Sequence, residues 1–169
     1  LAADFRNIPV FIYGYQDKFK ALPGDDSAAA AHVGGNPGPA GTIGNGVIDG
    51  AWNSTPPTDA SYLFWQHVRL AGLAPGSTTV GAGDYPPVNA LGGRIGIQSA
   101  APFTGLNGSY FICSANILGK YAKQLDIQLD DGNTATGSVV VGTPASPAGA
   151  PLPNTSVTDS GTFTVCMGI

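Results

Sequence analysis

The stretch LAADFRNIPVFIYGYQDKFKALPG, residues 1–24, decides the fold prediction. Its apolar residues recur at spacings of 4, 3, 4, 3, 4 and 3, which matches one face of an α-helix. The residues of this stripe are Leu1, Phe5, Ile8, Ile12, Tyr15, Phe19 and Leu22. Pro23 and Gly24 then end the pattern. We predict a helix over residues 1–22.

This predicted helix is apolar on more than one side. Val10, Phe11 and Tyr13 lie off the stripe, so one face can pack inside the domain while another meets a neighbouring molecule. Pro9 and Gly14 lie within the helix, where each should weaken or bend it.

The stripe is already in phase at Leu1, and Leu1-Ala2-Ala3 contains no N-capping residue. We therefore expect the full-length protein to extend this helix upstream. The expected extension is a nearly continuous apolar segment of about 20 residues or more, long enough to span a bilayer.

Beyond the first helix, the sequence predicts an α+β domain with one long loop. Residues 24–57 are rich in Gly, Pro, Asn and Ala, which is typical of a loop. The later helical patterns cover 59–71 and 116–129, and the strand patterns cover 94–98, 109–113, 138–142 and 162–167. A turn around Asn107-Gly108 is expected to join the first two strands. We predict that residues 1–169 form a single domain.

Composition argues against several classes of protein. Charged residues make up only 11% of the chain, against about 25% in an average soluble protein. The net charge of -4 is spread along the chain without a basic stripe, so no nucleic-acid partner is expected. The 25 glycines and 14 prolines lack a collagen period, and an apolar share of 43% is too high for a disordered chain. The glycines and prolines therefore indicate long ordered loops.

Two cysteines, Cys113 and Cys166, lie far apart in the chain, and both fall in strand patterns. We predict that they form a disulfide in an oxidising compartment. The alternative is a catalytic thiol, for which only His32 and His67 could serve as the imidazole base.

The sequence offers little material for an active site. It contains no nucleophile elbow, no Cys or His pair with metal-ligand spacing and no phosphate-binding glycine loop. We therefore expect no catalytic residue and no cofactor, and we predict that the chain is not an enzyme.

Three carboxylates at the end of the 116–129 helix form the one cluster that needs an explanation. Asp126 and Asp130 are a like-charge i, i+4 pair, and Asp131 adds a third charge at a helix C-terminus. We predict a turn-fixing network in which Lys123 and backbone N–H groups satisfy the three side chains. A bound divalent cation is the alternative, and a catalytic role is a third.

Several blocks of this sequence resemble the type IV pilin and pseudopilin family of bacterial prepilin-processed proteins. The helix exit YQDKFKALPGDD (15–26) and the second helix FWQHVRLAGL (64–73) are similar to that family. So are four late blocks, namely GKYA (119–122), LD (125–126), LDDGN (129–133) and TGSV (136–139).

The resemblance implies a type IV pilin-like roll, in which the N-terminal helix packs on a small antiparallel β-sheet. It also implies a long αβ-loop and a C-terminal disulfide-bounded region, here 113–166. Residues 1–22 would be the C-terminal half of a longer helix. Its upstream half would follow a short basic leader and a processing site, carry an early Glu and anchor the precursor in the inner membrane.

The family polymerises through this helix, which implies copies of the same chain and related pilins as partners. The residues assigned to the subunit-assembly helix are Leu1, Phe5, Ile8, Phe11, Ile12, Tyr15 and Phe19. The expected location is an extracellular pilus on a Gram-negative bacterium, with roles in adhesion or motility.

Three other functions remain open at this point. The chain could be a pseudopilin of a type II secretion system, although the calcium loop of major secretion pseudopilins is not recognisable here. It could be a minor pilin or adhesin-type binding module. A secreted hydrolase is the third possibility, and the lack of Glu and of a convincing His constellation weighs against it.

Overall fold

The computed structural model of the chain describes residues 1–143 and 149–169. Its helices are α1 (Ala2–Phe19), α2 (Ala29–His32), α3 (Ala60–Leu70) and α4 (Gly119–Leu129). Its strands are β1 (Ile95–Gln98), β2 (Phe111–Leu118), β3 (Val139–Gly142) and β4 (Thr162–Gly168). The predicted α+β class is therefore confirmed, with an N-terminal helix and a small sheet.

The four strands form one sheet in the order β1-β2-β4-β3. Both β2 and β3 pair with β4 in antiparallel orientation. All four residues of β3 are buried, as Val-Val-Val-Gly predicts for a strand covered on both faces. The last strand of the chain thus lies inside the sheet, between β2 and β3.

Two compact units make up the chain. One comprises Leu1–Phe5, Val88–Ile95 and Ala100–Ile169, and it contains α4 with β2, β3 and β4. The other comprises Arg6–Pro87 and Gly96–Ser99, and it contains α2, α3 and most of α1. The prediction of a single domain stays a prediction.

The predicted disulfide between Cys113 and Cys166 is confirmed. The two residues face each other in the register of β2 and β4, and both are fully buried. Neither thiol is therefore available as a catalytic nucleophile.

Helix α1 ends three residues before the predicted end at 22. Lys20 adopts a left-handed conformation with φ of 55°, and its backbone N–H donates to the carbonyl oxygen of Gln16 at 2.8 Å. A left-handed residue at this position ends an α-helix by turning the chain away from its axis. The helix does continue through Pro9 and Gly14.

Helix α3 lies where the sequence predicts it. It runs from Ala60 to Leu70, and Gly72 follows with φ of 74°. Every residue from Ala60 to Arg69 is buried, so this helix is enclosed on all sides.

The predicted start of the 116–129 helix is wrong, because β2 continues to Leu118. The pairing of β2 with β4 is interrupted between Ser114 and Ile117, and Asn116 has φ of 56°. An Asn in left-handed conformation is typical of a β-bulge. Asn116 therefore marks a bulge within the strand and does not cap the helix.

The predicted turn around Asn107-Gly108 is also wrong. Residues 99–110 separate β1 from β2, and the hydrogen-bonded turn in this segment lies at Thr104-Gly105. A Cβ atom on Gly108 would lie 2.8 Å from the backbone N of Ile169. This glycine therefore permits close approach of the chain's last residue and does not close a hairpin.

Candidate functional site

The residues assigned to subunit assembly divide between the core and the surface of α1. Phe5, Ile8, Ile12 and Tyr15 are at most 2% exposed, so they are core residues. Leu1, Phe11 and Phe19 are half-buried. The apolar stripe that identifies the helix in the sequence is thus mostly its inward face.

The outward face of α1 carries a smaller apolar surface. Val10 is 62% exposed and Tyr13 is 59% exposed, and both lie on the side off the stripe. Arg6 and Asp17 are exposed one turn before and after them, so the apolar pair has a charged residue at each end. We call Val10 and Tyr13, with the half-buried Phe11, the outer α1 surface.

No helix within residues 1–143 and 149–169 combines the length and hydropathy needed to cross a bilayer.

A buried polar network lies just after α1, and the sequence did not predict it. Asp26 is only 2% exposed, and its Oδ2 accepts hydrogen bonds from the Tyr15 hydroxyl and from His32 Nδ1, both at 2.7 Å. Its Oδ1 accepts from the Ala28 N–H at 2.9 Å. Burial by itself would raise the pKa of Asp26, but these hydrogen bonds outweigh it and hold the pKa below its ordinary value. Burial, together with Asp26 as the acceptor, raises the pKa of Tyr15.

His67 is held in its neutral form near this network. The Gly24 N–H donates to Nδ1 at 2.9 Å, and Nε2 lies 2.8 Å from the carbonyl oxygen of Asn36. Nδ1 must therefore lack a proton, and Nε2–H donates to Asn36. Burial lowers the pKa of His67, while the Asn36 hydrogen bond and the charge of Asp26 oppose this only in part. Both histidines thus have structural partners.

The neighbouring residue Asp25 fixes the long loop by accepting hydrogen bonds from its backbone. Its Oδ1 accepts from the Gly44 N–H, and its Oδ2 accepts from the Gly46 N–H, both at 2.6 Å. The signal that could have revealed this role is the pair Asp25-Asp26 directly after a predicted helix end, in a chain that is 11% charged.

The three carboxylates at the C-terminal end of α4 come together as the sequence predicts. One side-chain oxygen from each of Asp126, Asp130 and Asp131 lies within 4.8 Å of the other two. Backbone donors satisfy two of them as expected. Asp130 Oδ2 accepts from the N–H groups of Ser138 and Val139, at 2.6 and 2.9 Å.

Asp131 likewise fixes the turn, through Asn133 and Thr136. Its Oδ1 accepts from the Asn133 N–H at 2.8 Å, and its Oδ2 accepts from the Thr136 hydroxyl at 3.2 Å. For Asp130 and Asp131, the prediction of a turn-fixing role is confirmed.

For Asp126, the predicted network is wrong. Lys123 Nζ pairs with Asp159 Oδ1 at 2.9 Å, so the expected counter-charge is engaged elsewhere. Asp126 is fully buried, and neither of its side-chain oxygens has a hydrogen-bond partner among the described residues. Burial and the charges of Asp131 and Asp130 raise the pKa of Asp126 to about 6.

Comparison with known proteins gives no relative: no family model, no curated protein and no solved structure matches this chain.

Proposed function

We propose that this chain is a structural subunit of a bacterial type IV pilus and that it assembles through its N-terminal helix. The observation that carries the proposal is that α1 presents two apolar faces. Phe5, Ile8 and Ile12 pack inward, while Val10 and Tyr13 point to solvent. A subunit that must both fold and join its neighbours through one helix needs two such faces.

The resemblance of the sequence blocks to pilins and pseudopilins indicates what would cover the outer α1 surface. In that family, helices of neighbouring subunits bundle in the filament core. The outer α1 surface would then contact the same helix in other copies of this chain, or in related pilins. Val10 and Tyr13, being apolar, would lose their solvent exposure in the assembled filament.

The finer fold assignment, a type IV pilin-like roll with a C-terminal region bounded by Cys113 and Cys166, belongs to this proposal. Two features support it. The disulfide joins the last strand to β2, and residues 20–59, between α1 and α3, contain the short α2 as their only helix or strand. A disulfide is also typical of exported proteins, which agrees with a location outside the cytoplasm.

The family resemblance also implies how the subunit reaches the filament. The precursor would wait in the inner membrane of a Gram-negative bacterium, anchored by an apolar segment upstream of Leu1. After processing, it would enter an extracellular filament with roles in adhesion or motility.

Two exposed valines provide a matched test. Val10 and Val88 are both 62% exposed, but only Val10 lies on α1. We would introduce Val10→Lys or Val88→Lys into the full-length gene in its own host and measure the subunit in filaments sheared from the cells. Exposed substitutions usually change the free energy of unfolding by less than about 0.5 kcal/mol, so both purified variants should melt close to the wild type.

A Lys at position 10 should reduce incorporation into filaments at least about tenfold, because its charge would be buried between helices. A Lys at position 88 should leave incorporation unchanged. Normal filaments carrying Val10→Lys would contradict assembly through the outer α1 surface.

A further inference from the structure

The side chain of Asp126 is the least satisfied group of the acidic cluster at the C-terminal end of α4. It is fully buried, and both of its carboxylate oxygens lack a hydrogen-bond donor within the described part of the chain. A buried carboxylate without donors is strongly disfavoured as an anion, because it has lost its hydration and gained nothing in return. A cation that reached this carboxylate would stabilise its charged form.

The surroundings of Asp126 all favour a positive partner. An oxygen of Asp130 and an oxygen of Asp131 lie within 4.8 Å of an Asp126 oxygen. The cluster also lies at the C-terminal end of α4, with Asp126 in its last turn, where the helix dipole is negative. Lys123, the nearest lysine in the sequence, is paired with Asp159.

The two outer carboxylates are already held in place. Ser138 and Val139 both donate to Oδ2 of Asp130, and its Oδ1 accepts no hydrogen bond from the described residues. Asn133 and Thr136 hold Asp131, which is exposed to solvent. A cation would therefore meet two positioned ligands and an open side at which water can complete its coordination.

We propose that Asp126, Asp130 and Asp131 form a calcium-binding site at the C-terminal end of α4. A set of carboxylate oxygens selects hard divalent cations over the softer transition metals. Calcium accepts six to eight oxygen ligands at about 2.3–2.6 Å in irregular geometry, whereas magnesium demands a near-ideal octahedron at about 2.1 Å. Three carboxylates on a helix end and its turn, completed by water on the open side, therefore suit calcium better than magnesium.

The test uses the purified chain, first freed of metal with EDTA. Calorimetric titration with CaCl₂ should give one site per chain with a Kd of about 1 mM or tighter. At calcium ten times the Kd, the melting temperature should rise by about 3 to 6 °C, and EDTA should reverse the rise. MgCl₂ should bind at least about tenfold more weakly.

Two charge-matched variants locate the site. Asp126→Asn should abolish both the heat and the calcium-dependent rise, while its melting temperature in EDTA should equal or exceed that of the wild type. Asp17→Asn removes the same charge from a side chain that is 91% exposed on α1, and it should leave calcium binding unchanged.

Several outcomes would overturn the proposal. Absence of heat and of a melting shift in the wild type would exclude the site, and retained binding in Asp126→Asn would place it elsewhere. Tighter binding of magnesium than of calcium would exclude the assignment to calcium. If calcium shifted only amide NMR resonances outside residues 126–139, that result would also contradict the proposal.

Discussion

Cys113 and Cys166 lie directly opposite each other in β2 and β4, and a disulfide joins them with their Cα atoms 4.1 Å apart. Since β4 also pairs with β3, this bond fixes the strand at the centre of the β2-β4-β3 part of the sheet. The bond closes a loop with a sequence separation of 53. Its main effect is therefore to restrict the unfolded chain.

Removal of the disulfide should destabilise the protein markedly. The double variant Cys113→Ala, Cys166→Ala should lose about 2–5 kcal/mol of unfolding free energy in urea denaturation. Thiol titration of the denatured, unreduced wild type should find no free thiol, because both cysteines are bonded. Two reactive thiols per chain would contradict the bond.

The two faces of α1 should respond very differently to truncation. Ile12 is fully buried, so Ile12→Ala should cost about 2–5 kcal/mol of unfolding free energy. Val10→Ala, two residues away on the exposed face, should change it by less than about 0.5 kcal/mol. Urea denaturation of both variants measures the difference, and equal losses would show that the inward and outward faces are wrongly assigned.

Acidification should destabilise the protein through His67. Because the folded-state pKa lies below the ordinary value of about 6.5, the neutral ring contributes stability above that value. That contribution is lost as pH falls through the folded-state pKa, since a protonated Nδ1 can no longer accept from Gly24. Asp126 acts in the opposite direction over this range, because its pKa is raised to about 6 and its protonation below that value stabilises the folded chain. The His67 contribution is therefore the difference between the wild type and a variant that cannot titrate at position 67.

His67→Asn keeps an acceptor for Gly24 and removes the titration, so the unfolding free energy of the wild type should fall relative to that of His67→Asn as the pH is lowered from 7 to 5. An NMR titration of the His67 ring in the wild type gives the pKa directly, independently of how well the variant folds. A ring pKa at or above 6.5 would refute the assignment.

The turn after α4 should depend on Gly137. This residue has φ of 87°, and a Cβ atom there would lie 1.9 Å from Oδ2 of Asp130, the acceptor for Ser138 and Val139. Gly34→Ala is the matched control, because Gly34 has φ of 74° and open space around it.

Both alanines should incur the left-handed strain of about 1–2 kcal/mol. Gly137→Ala should cost about 1–3 kcal/mol more, because Asp130 must move and its backbone donors lose their acceptor. Equal unfolding free energies for the two variants would show that the Asp130 contacts contribute little.

The spacing of apolar residues predicted the main elements of the fold, because burying one face of a helix or strand requires apolar residues at a regular interval. The stripe through Phe5, Ile8 and Ile12 is buried, and α3 begins and ends where its pattern does. Rules based on nearby residues in the sequence failed where pairing with another strand determined the backbone conformation. Asn116 has the chemistry of a helix cap, yet its pairing context in β2 makes it a bulge.

The candidate site was predictable only in part for a similar reason. Sequence spacing alone predicted that Asp126, Asp130 and Asp131 lie in one cluster. The sequence also offered Lys123 at helical distance from Asp126, but a partner remote in sequence, Asp159, takes that lysine. Such competition between partners depends on tertiary contacts, which no local pattern contains.

Immunogold electron microscopy of surface filaments, with antibodies against this domain, tests the filament proposal most directly. The host should express the full-length gene, and the filaments should be imaged attached to the cells. If the chain is a pilus subunit, gold should label the filaments along their length and disappear when the gene is deleted. Unlabelled filaments, together with a chain released into the medium as a monomer whose mature N-terminus is Leu1, would contradict the proposal and indicate a free secreted domain.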